Sequence, residues 1–303
     1  MKNVNKSLIL VLATALISGI SVFINKFAVA AISNSDVFTT VKNLAVGLVL
    51  TGLILLPIYF SKLKMLKAGE WLKLFLIGIV GGSIPFLLFF KGLSLTSASS
   101  AGLIHKSLFI WVSILAVWFL GERIGKLQYL ALGLLFLGNF AMLGFKMFNL
   151  SMGEFLVLAA TLMWAVEFII AKKVLSNIPA EIVAWARMCF GSIILLGYLT
   201  FTGQVSNLAI LNSNQWFWIA ISSILLLGYV LTWYQALAKL PAVTAASILV
   251  IASPITTCLN LIYSQKINMY QIGGSALIIA AVMLLIYSYK KINEPQVISE
   301  QFN

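Results

Sequence analysis

Charged side chains are scarce in this sequence. Only 9% of the 303 residues are charged, eight residues are Asp or Glu, and there is a single histidine. The sequence has no acidic metal-binding cluster, no catalytic constellation, no glycine-rich phosphate loop and no nucleotide-binding domain that would drive transport with ATP. We therefore expect no enzyme, no metal and no other cofactor.

Cysteine is equally rare. Cys189 and Cys258 lie in separate apolar segments and lack the spacing of metal ligands. We expect both to be small buried side chains.

Apolar residues dominate instead. They make up 61% of the sequence, and the mean hydropathy is +1.05. Hydropathy predicts ten membrane-spanning helices, numbered here as spans 1 to 10: 8–32, 37–60, 71–93, 98–120, 127–146, 153–172, 181–201, 215–237, 242–264 and 270–289. The fold class is thus an all-α integral membrane protein with the lipid bilayer as its surroundings. Because no soluble module carries the net charge of +12, we expect no nucleic-acid partner.

The distribution of Lys and Arg predicts the orientation. With the N-terminus inside, twelve basic residues lie at inner segments and two, Lys146 and Lys266, at outer ends. The inner ones are Lys2, Lys6, Lys62, Lys64, Lys67, Arg123, Lys126, Lys172, Lys173, Lys239, Lys290 and Lys291. This positive-inside bias places both termini in the cytoplasm and the protein in the inner or plasma membrane.

The two halves of the sequence repeat each other. Glu122-Arg123-Ile124 matches Gln265-Lys266-Ile267 at an offset of 143 residues, and Lys26 matches Lys172 at an offset of 146. Five helices in each half force the second half into the membrane upside down, as in many secondary transporters. The predicted domains are a first repeat, 1–148, a second inverted repeat, 149–292, and a short cytoplasmic tail, 293–303.

Several motifs, in this order, resemble the EamA family of the drug/metabolite transporter superfamily. They are the run from Phe89 through Leu95-Thr96-Ser97-Ala98, the closing Gly121-Glu122-Arg123 of span 4, Trp164-Ala165-Val166-Glu167, Trp185-Ala186-Arg187 and Ser253-Pro254. The resemblance covers nearly the whole chain. It implies alternating access around a central cavity lined by spans 3, 4, 8 and 9 and bordered by spans 1 and 6.

The sequence departs from the family pattern in places. Phe109 stands about where span 4 of the family has a proline, Lys42 replaces an arginine, and the second half ends in Ser264-Gln265-Lys266 instead of Gly-Glu. The pair His105-Lys106 belongs to no family-wide pattern. The resemblance does not choose among amino acids, drugs and other small metabolites as substrates.

His105 and Lys106 are the leading candidates for substrate binding. They lie roughly 10–12 Å below the outer end of span 4 at about 1.5 Å per residue. Ionisable side chains at such depth usually face a cavity, although a structural hydrogen bond for His105 and a snorkelling Lys106 would also explain them. Trp111, one turn on, is expected to form an apolar wall or to pack between helices.

Lys26, Lys42 and Lys91 lie toward the outer ends of spans 1, 2 and 3. Each can reach water by itself, and if several converge with Lys106 the vestibule is electropositive and favours carboxylates or phosphates. We expect Lys42 and Lys91 to contribute to substrate binding.

Glu167 is the only acid well inside a predicted span. Burial favours the protonated form of a carboxyl group, so Glu167 can carry a coupling proton. An ion pair with a basic residue such as Arg187, itself expected to be structural, explains it equally well.

Other candidates carry polar or gating roles. Tyr234 and Gln235 can orient a polar ligand through uncharged hydrogen bonds. Pro254 frees a backbone carbonyl and bends span 9, which helps a gate to move. Glu122 and Arg123 are expected to form a structural ion pair that holds the half-bundles together.

These features predict a secondary transporter that exports small polar metabolites, with amino acids or related organic anions as the first choice. Exchange of phosphorylated or nucleoside-linked metabolites is a second possibility, favoured by the excess of lysine. A non-transporting membrane subunit or lipid-handling protein is an alternative from another class, and it predicts no aqueous pocket at His105.

Overall fold

The computed structural model describes residues 2–32, 34–96, 98–142, 151–208, 210–265 and 268–293. Within these ranges the chain forms helices and no strands, as the sequence predicts. The predicted outer lysines Lys146 and Lys266, and the predicted tail from residue 294 on, lie outside the described residues.

The described segments contain the following α-helices: α1 Lys2–Ile32, α2 Ser35–Ile54, α3 Pro57–Lys64, α4 Ala68–Gly82, α5 Ile84–Leu95, α6 Ala98–Lys106, α7 Leu108–Leu120, α8 Lys126–Met142, α9 Met152–Val174, α10 Ala180–Phe201, α11 Ser213–Lys239, α12 Ala242–Leu249, α13 Ala252–Ser264 and α14 Met269–Asn293. Over this part of the chain, nine helical segments are long and apolar enough to cross a membrane. Span 5 is described as α8, which is shorter because the described residues stop at Met142.

Local sequence explains where several helices begin and end. Asn34, Ser151 and Asn212 each accept a hydrogen bond from a backbone N–H in the first turn of α2, α9 and α11. Span 2 ends at Ile54, not near residue 60, because Pro57 starts the separate helix α3.

Span 3 is interrupted in its middle, which the sequence analysis did not predict. α4 ends at Gly82, Ser83 adopts a non-helical conformation (φ −136°, ψ −79°), and α5 continues from Ile84. Pro85 is the cause, since it has no N–H to give to the carbonyl of Gly81 and its ring clashes with that carbonyl in a regular helix.

Spans 4 and 9 are interrupted at matching positions. Span 4 breaks at Ser107, between α6 and α7, and span 9 breaks at Val250 and Ile251, between α12 and α13. At an offset of 144 residues, between the offsets of 143 and 146 found for the two halves, Ser107 corresponds to Ile251. Pro254 explains the break in span 9, because the carbonyl four residues earlier loses its helical donor. In span 4 the side chain of Ser107 takes part instead, with Oγ donating to the Ile104 carbonyl at 2.6 Å.

The helices form one bundle whose two ends differ in charge. One end holds the starts of α4, α8, α10 and α12 and the ends of α7, α9, α11 and α14. We call it the lysine-rich end because the basic residues assigned above to the inner side lie there. At this end α7 packs against α12. Toward the opposite end α6 packs against α9 and α5, whereas α13 packs against α1 and α14. Spans 4 and 9 therefore meet at the lysine-rich end and separate toward the other.

Glycine allows the closest approaches between helices. Gly82 of α4 and Gly191 of α10 touch through their backbones, and a Cβ on Gly82 would overlap the carbonyl oxygen of Arg187. Helices in lipid have no hydrophobic driving force to associate. Small residues at such crossings allow the close van der Waals packing that holds them together instead.

Substitution of Gly82 by alanine is expected to lower the stability of the protein. The added methyl group has no room, and overpacking of this kind costs about 1–3 kcal/mol. Gly52→Ala in α2 is the matched control, because a Cβ there meets no atom within 4 Å. Thermal unfolding in detergent should give a lower midpoint for the first variant and an equal or higher one for the second.

Candidate functional site

The interruption of span 3 exposes backbone carbonyls in the middle of the bundle, and side chains from other spans bind them. The carbonyl of Gly81, which Pro85 leaves without a helical donor, accepts hydrogen bonds from Arg187 Nη2 at 3.1 Å and from Trp164 Nε1 at 3.2 Å. The carbonyl of Gly82 accepts one from Asn43 Nδ2 at 3.3 Å. Non-helical backbone at membrane depth is tolerated where it is buried in protein, as here, or lines a water-filled cavity.

Glu167 lies on the other side of Gly81, in α9. Its side chain is fully buried, and Oε1 accepts a hydrogen bond of 2.5 Å from the hydroxyl of Tyr234. A Cβ on Gly81 would lie 2.5 Å from Glu167 Cγ and 3.3 Å from Arg187 Nε. Glycine is therefore needed at position 81 to let the carboxylate and the guanidinium approach each other.

We call Gly81, Trp164, Glu167, Arg187 and Tyr234 the central cluster. Its carboxylate and guanidinium interact electrostatically, and the Tyr234 hydroxyl contacts both. The sequence left Glu167 open between a coupling proton and an ion pair with Arg187. The structure brings the two residues together, and this arrangement is compatible with both roles.

Three polar atoms of this central cluster have no hydrogen-bond partner among the described residues. They are Glu167 Oε2, Arg187 Nε and Arg187 Nη1. A buried polar group without a partner costs about 1–3 kcal/mol, and charged groups cost more. Such atoms call for an explanation, and a functional role or a bound ligand is one.

His105 extends the central cluster toward the end opposite the lysine-rich end. Its ring lies 4.8 Å from that of Trp164 and 5.3 Å from that of Phe89, in edge-to-face geometry. Its Nδ1 atom is buried and has no partner within the described part of the chain. Trp164 thus connects His105 to the carbonyl of Gly81. Lys106 is half-buried beside it, and a Cβ on Gly102, one turn earlier, would meet open space.

The other predicted lysines contact residues outside the central cluster. Lys42 is 5% exposed, and its Nζ lies 4.7 Å from the centroid of the Phe38 ring, one turn earlier in α2. Lys91 is exposed near the end of α5, where its charge acts on Asp36. Neither contact brings these lysines to His105.

The remaining predicted binding residues have partners of their own. Gln235 Nε2 donates to Glu181 Oε1 at 3.0 Å, close to the lysine-rich end. Trp111 Nε1 donates to Ser107 Oγ at 3.0 Å, within span 4. Pro254 is buried near the start of α13. The roles of Gln235 and Trp111 in substrate binding, and of Pro254 in gating, stay predictions.

A second polar site closes the lysine-rich end. Glu122 accepts hydrogen bonds from the first backbone N–H groups of α12, Ala242 N at 2.6 Å and Val243 N at 3.0 Å. Gly121 ends α7 in the left-handed conformation (φ 66°), which places Glu122 beyond the helix. Glu122 thus binds the start of α12, whereas Arg123 is exposed, and the predicted ion pair between them stays a prediction.

Lys172 completes this second site from α9. Its Nζ donates to the carbonyls of Leu237 at 2.8 Å and Leu240 at 2.7 Å, at the end of α11. A carboxylate at a helix start and an ammonium at a helix end both match the helix dipole. We call Glu122 and Lys172 with these backbone partners the clamp. From the sequence, Lys172 is expected only to be a topological or structural residue at the inner side, although its match with Lys26 in the other half was a signal.

Metal ligands and cavities were the other features sought around the central cluster and the clamp. Within the described ranges no group of three or more His, Cys, Asp or Glu side chains is placed to hold a metal ion. Two cavities are lined by residues outside the central cluster. One, of about 300 Å³, is lined by residues such as Asn34 and Gln215, and the other lies beside Ser7 and Lys239.

Known proteins resemble the chain over nearly its full length. A protein of Bacillus subtilis (strain 168) described as the uncharacterized transporter YyaM is 24% identical over 284 residues, which cover 91% of this chain and 92% of that protein. A crystal structure described only as that of a protein superposes with a TM-score of 0.76 at 16% identity, and covers 95% of this chain and 99% of the other. The sequence pattern of the EamA-like transporter family matches twice, over residues 5–144 and 151–287. The chain belongs to the EamA-like transporter family.

Proposed function

We propose that this membrane transporter works by alternating access as a secondary transporter, and that it exports small polar metabolites, amino acids or related organic anions, across the inner or plasma membrane. The observation that carries the proposal is the course of spans 4 and 9. These spans pack together through α7 and α12 at the lysine-rich end and part toward the opposite end. A path from the opposite end down to His105 and the central cluster is what an alternating-access protein needs in one of its two states.

The clamp supports this interpretation, because it joins the two matched halves at the closed end. Glu122 belongs to the first family match, whereas its partners in α12 and Lys172 belong to the second. The counterpart of Lys172 in the first half is Lys26, and Lys26 is exposed. If the halves are inverted repeats, a clamp engaged at one end and free at the other describes one state of a two-state cycle.

In the second state, the halves exchange these arrangements. Lys26 then binds the last carbonyls of α5, at Leu93, Ser94 and Thr96, which correspond to Leu237, Ala238 and Leu240 at the offset of 144. The clamp of Glu122 and Lys172 opens at the same time. By the positive-inside rule the lysine-rich end is cytoplasmic, and on this basis we assign the structure to the state open to the outside.

Glu167 is proposed as the proton-coupling group. It is buried at a depth between the two ends, and one of its carboxyl oxygens has no partner among the described residues. A carboxyl group that both states of the cycle reach in turn can take up a proton on one side and release it on the other.

Cysteine labelling tests the path directly. Ser107→Cys, in a variant whose Cys189 and Cys258 are replaced, is expected to react with a membrane-impermeant thiol reagent added from outside. Ala101→Cys is expected to react more slowly, because Ala101 is 1% exposed. Silence at Ser107→Cys in both states would remove the proposed path and favour a non-transporting subunit or lipid-handling protein.

The substrate class is tested separately in proteoliposomes. A panel of amino acids, organic acids and sugar phosphates separates the first proposal from exchange of phosphorylated or nucleoside-linked metabolites. The buried cations Lys42 and Arg187 favour an anion in either case.

A further inference from the structure

We propose that Arg187 is the receptor for a carboxylate group of the substrate, and that Glu167 is the internal counter-ion that occupies this receptor when substrate is absent. The inference rests on the proposed transport function and names the chemistry of its central site. It gives Arg187 a role in binding, beyond the structural one expected from the sequence.

The hydrogen bonds of Arg187 provide the first argument. A guanidinium group presents five N–H donors in a rigid fork that matches a carboxylate in two parallel bonds. In this structure Nη2 donates to the Gly81 carbonyl, and Nε and Nη1 have no partner among the described residues. Arg187 is 6% exposed, so solvent at the protein surface does not serve these donors. The bond to Gly81 and the contact with Tyr234 position the fork, and Nε and Nη1 remain available for a ligand.

Glu167 shows that a carboxylate fits beside this fork. Its Oε1 is bound by Tyr234, and its Cγ lies against Gly81, where a Cβ would be 2.5 Å away. Its second oxygen, Oε2, has no partner in the described residues. The internal carboxylate is therefore incompletely bound, and a free carboxylate that reaches all the donors would compete with it effectively.

Charge favours one carboxylate over a doubly charged phosphate. Arg187 and Glu167 neutralise each other, so a proton on Glu167 leaves one positive charge in the central cluster. A singly charged carboxylate balances that charge, whereas a phosphate dianion leaves an excess negative charge in a medium where unpaired charge is costly. Protonation of Glu167 and binding of the carboxylate at Arg187 should therefore occur together.

The groups around Glu167 are consistent with this coupling. Arg187 faces it from α10, Tyr229 and Tyr234 from α11, and His105 from α6 across the ring of Trp164. α7 and α12, which also pack against α9, contain no titratable side chain. In α4, Gly81 lies against Glu167 and Glu70 caps the start of the helix, and the charged Lys73 of α4 and Lys91 of α5 are exposed.

Binding to the purified full chain in detergent tests the proposal without transport. The probes are propionate, L-lactate and a set of amino acids, each measured beside its amide, together with inorganic phosphate. The readout is the shift in thermal unfolding midpoint as a function of probe concentration. We expect at least one carboxylate to stabilise the protein and its amide to have no effect. Apparent affinity should rise as the pH falls from about 8 to about 5.5, where simple carboxylates remain ionised.

Variants assign the effect to the two residues. Glu167→Gln removes the competing charge, so the effective carboxylate should bind about tenfold tighter at neutral pH and lose its pH dependence. Arg187→Gln should abolish the preference for the acid over its amide, and Arg187→Lys, which keeps the charge and loses the fork, should retain part of it. Lys73→Gln, an exposed cation on α4, is the matched control and should behave as the unmodified protein.

Three results would overturn the proposal. They are an unchanged or weaker carboxylate affinity in folded Glu167→Gln, an acid preference that survives Arg187→Gln, and stabilisation by phosphate without any by carboxylates. If Arg187→Gln does not fold, Arg187→Lys and Glu167→Gln still decide the question. The labelling of Ser107→Cys needs no substrate, so failure of the carboxylate assignment leaves alternating access separately tested.

Discussion

Replacement of Glu167 by glutamine is expected to abolish the dependence of net transport on a pH gradient and to spare exchange of substrate. Glutamine keeps the shape of the side chain and can still accept the hydrogen bond from Tyr234, which is 2.5 Å long in the structure. It cannot bind or release a proton, so the variant can cycle with substrate but cannot use the gradient. In proteoliposomes, gradient-driven accumulation should fall to the level reached without a gradient, while counterflow of labelled substrate continues.

Glu154→Gln is the matched control for this experiment. Glu154 is the other acid on α9 and is also buried, but its carboxylate caps the start of the helix by accepting from the N–H of Ser151. Glutamine serves equally well at this position of a capping box. Transport driven by a pH gradient should therefore persist in Glu154→Gln. Proton-driven accumulation that also persists in Glu167→Gln would exclude Glu167 as the coupling group.

Loss of the Lys172 ammonium is expected to open the lysine-rich end. Methionine preserves the apolar stem and leaves the carbonyls of Leu237 and Leu240 without their donor. A lost hydrogen bond to a charged group is worth about 1.5–3 kcal/mol. Because about 1.4 kcal/mol is tenfold in an equilibrium, the population open at this end should rise at least about tenfold in Lys172→Met.

Reactivity of a buried reporter measures this shift. Ser247 in α12 is fully buried, so Ser247→Cys should label slowly from the lysine-rich side in the unmodified background. Labelling should be about tenfold faster with Lys172→Met, and less so with Glu122→Gln, since glutamine can still accept one of two N–H groups. Lys173→Met is the control, because Lys173 is exposed next to Lys172.

Loss of the Lys26 ammonium, the proposed counterpart of Lys172, is expected to change the labelling rate in the opposite direction. Lys26→Met should slow labelling of Ser247→Cys, because it weakens the state in which Lys26 binds the end of α5. If Lys26→Met and Lys172→Met changed the labelling rate of Ser247→Cys in the same direction, the proposed exchange of clamps between the two ends would be contradicted.

Some parts of the central cluster were within reach of the sequence. Glu167 stands out as an acid inside an apolar segment. Pro85 is a local signal for a broken helix, which hydropathy alone does not detect. That the freed carbonyl of Gly81 is bound by Arg187 and Trp164 was not predictable, because these residues lie 106 and 83 positions away. Which helices cross there is fixed by glycine contacts such as that between Gly82 and Gly191.

The sequence by itself determined the helical class, the approximate course of the spans and the family. These follow from hydropathy and from motifs, which are properties of consecutive residues. Only the tertiary structure decided that Glu122 binds the start of α12, that Gln235 pairs with Glu181, and that Lys172 holds the end of α11. The physical reason is that a buried polar group needs a partner, and its identity depends on which helix ends and breaks the packed bundle brings within hydrogen-bonding distance.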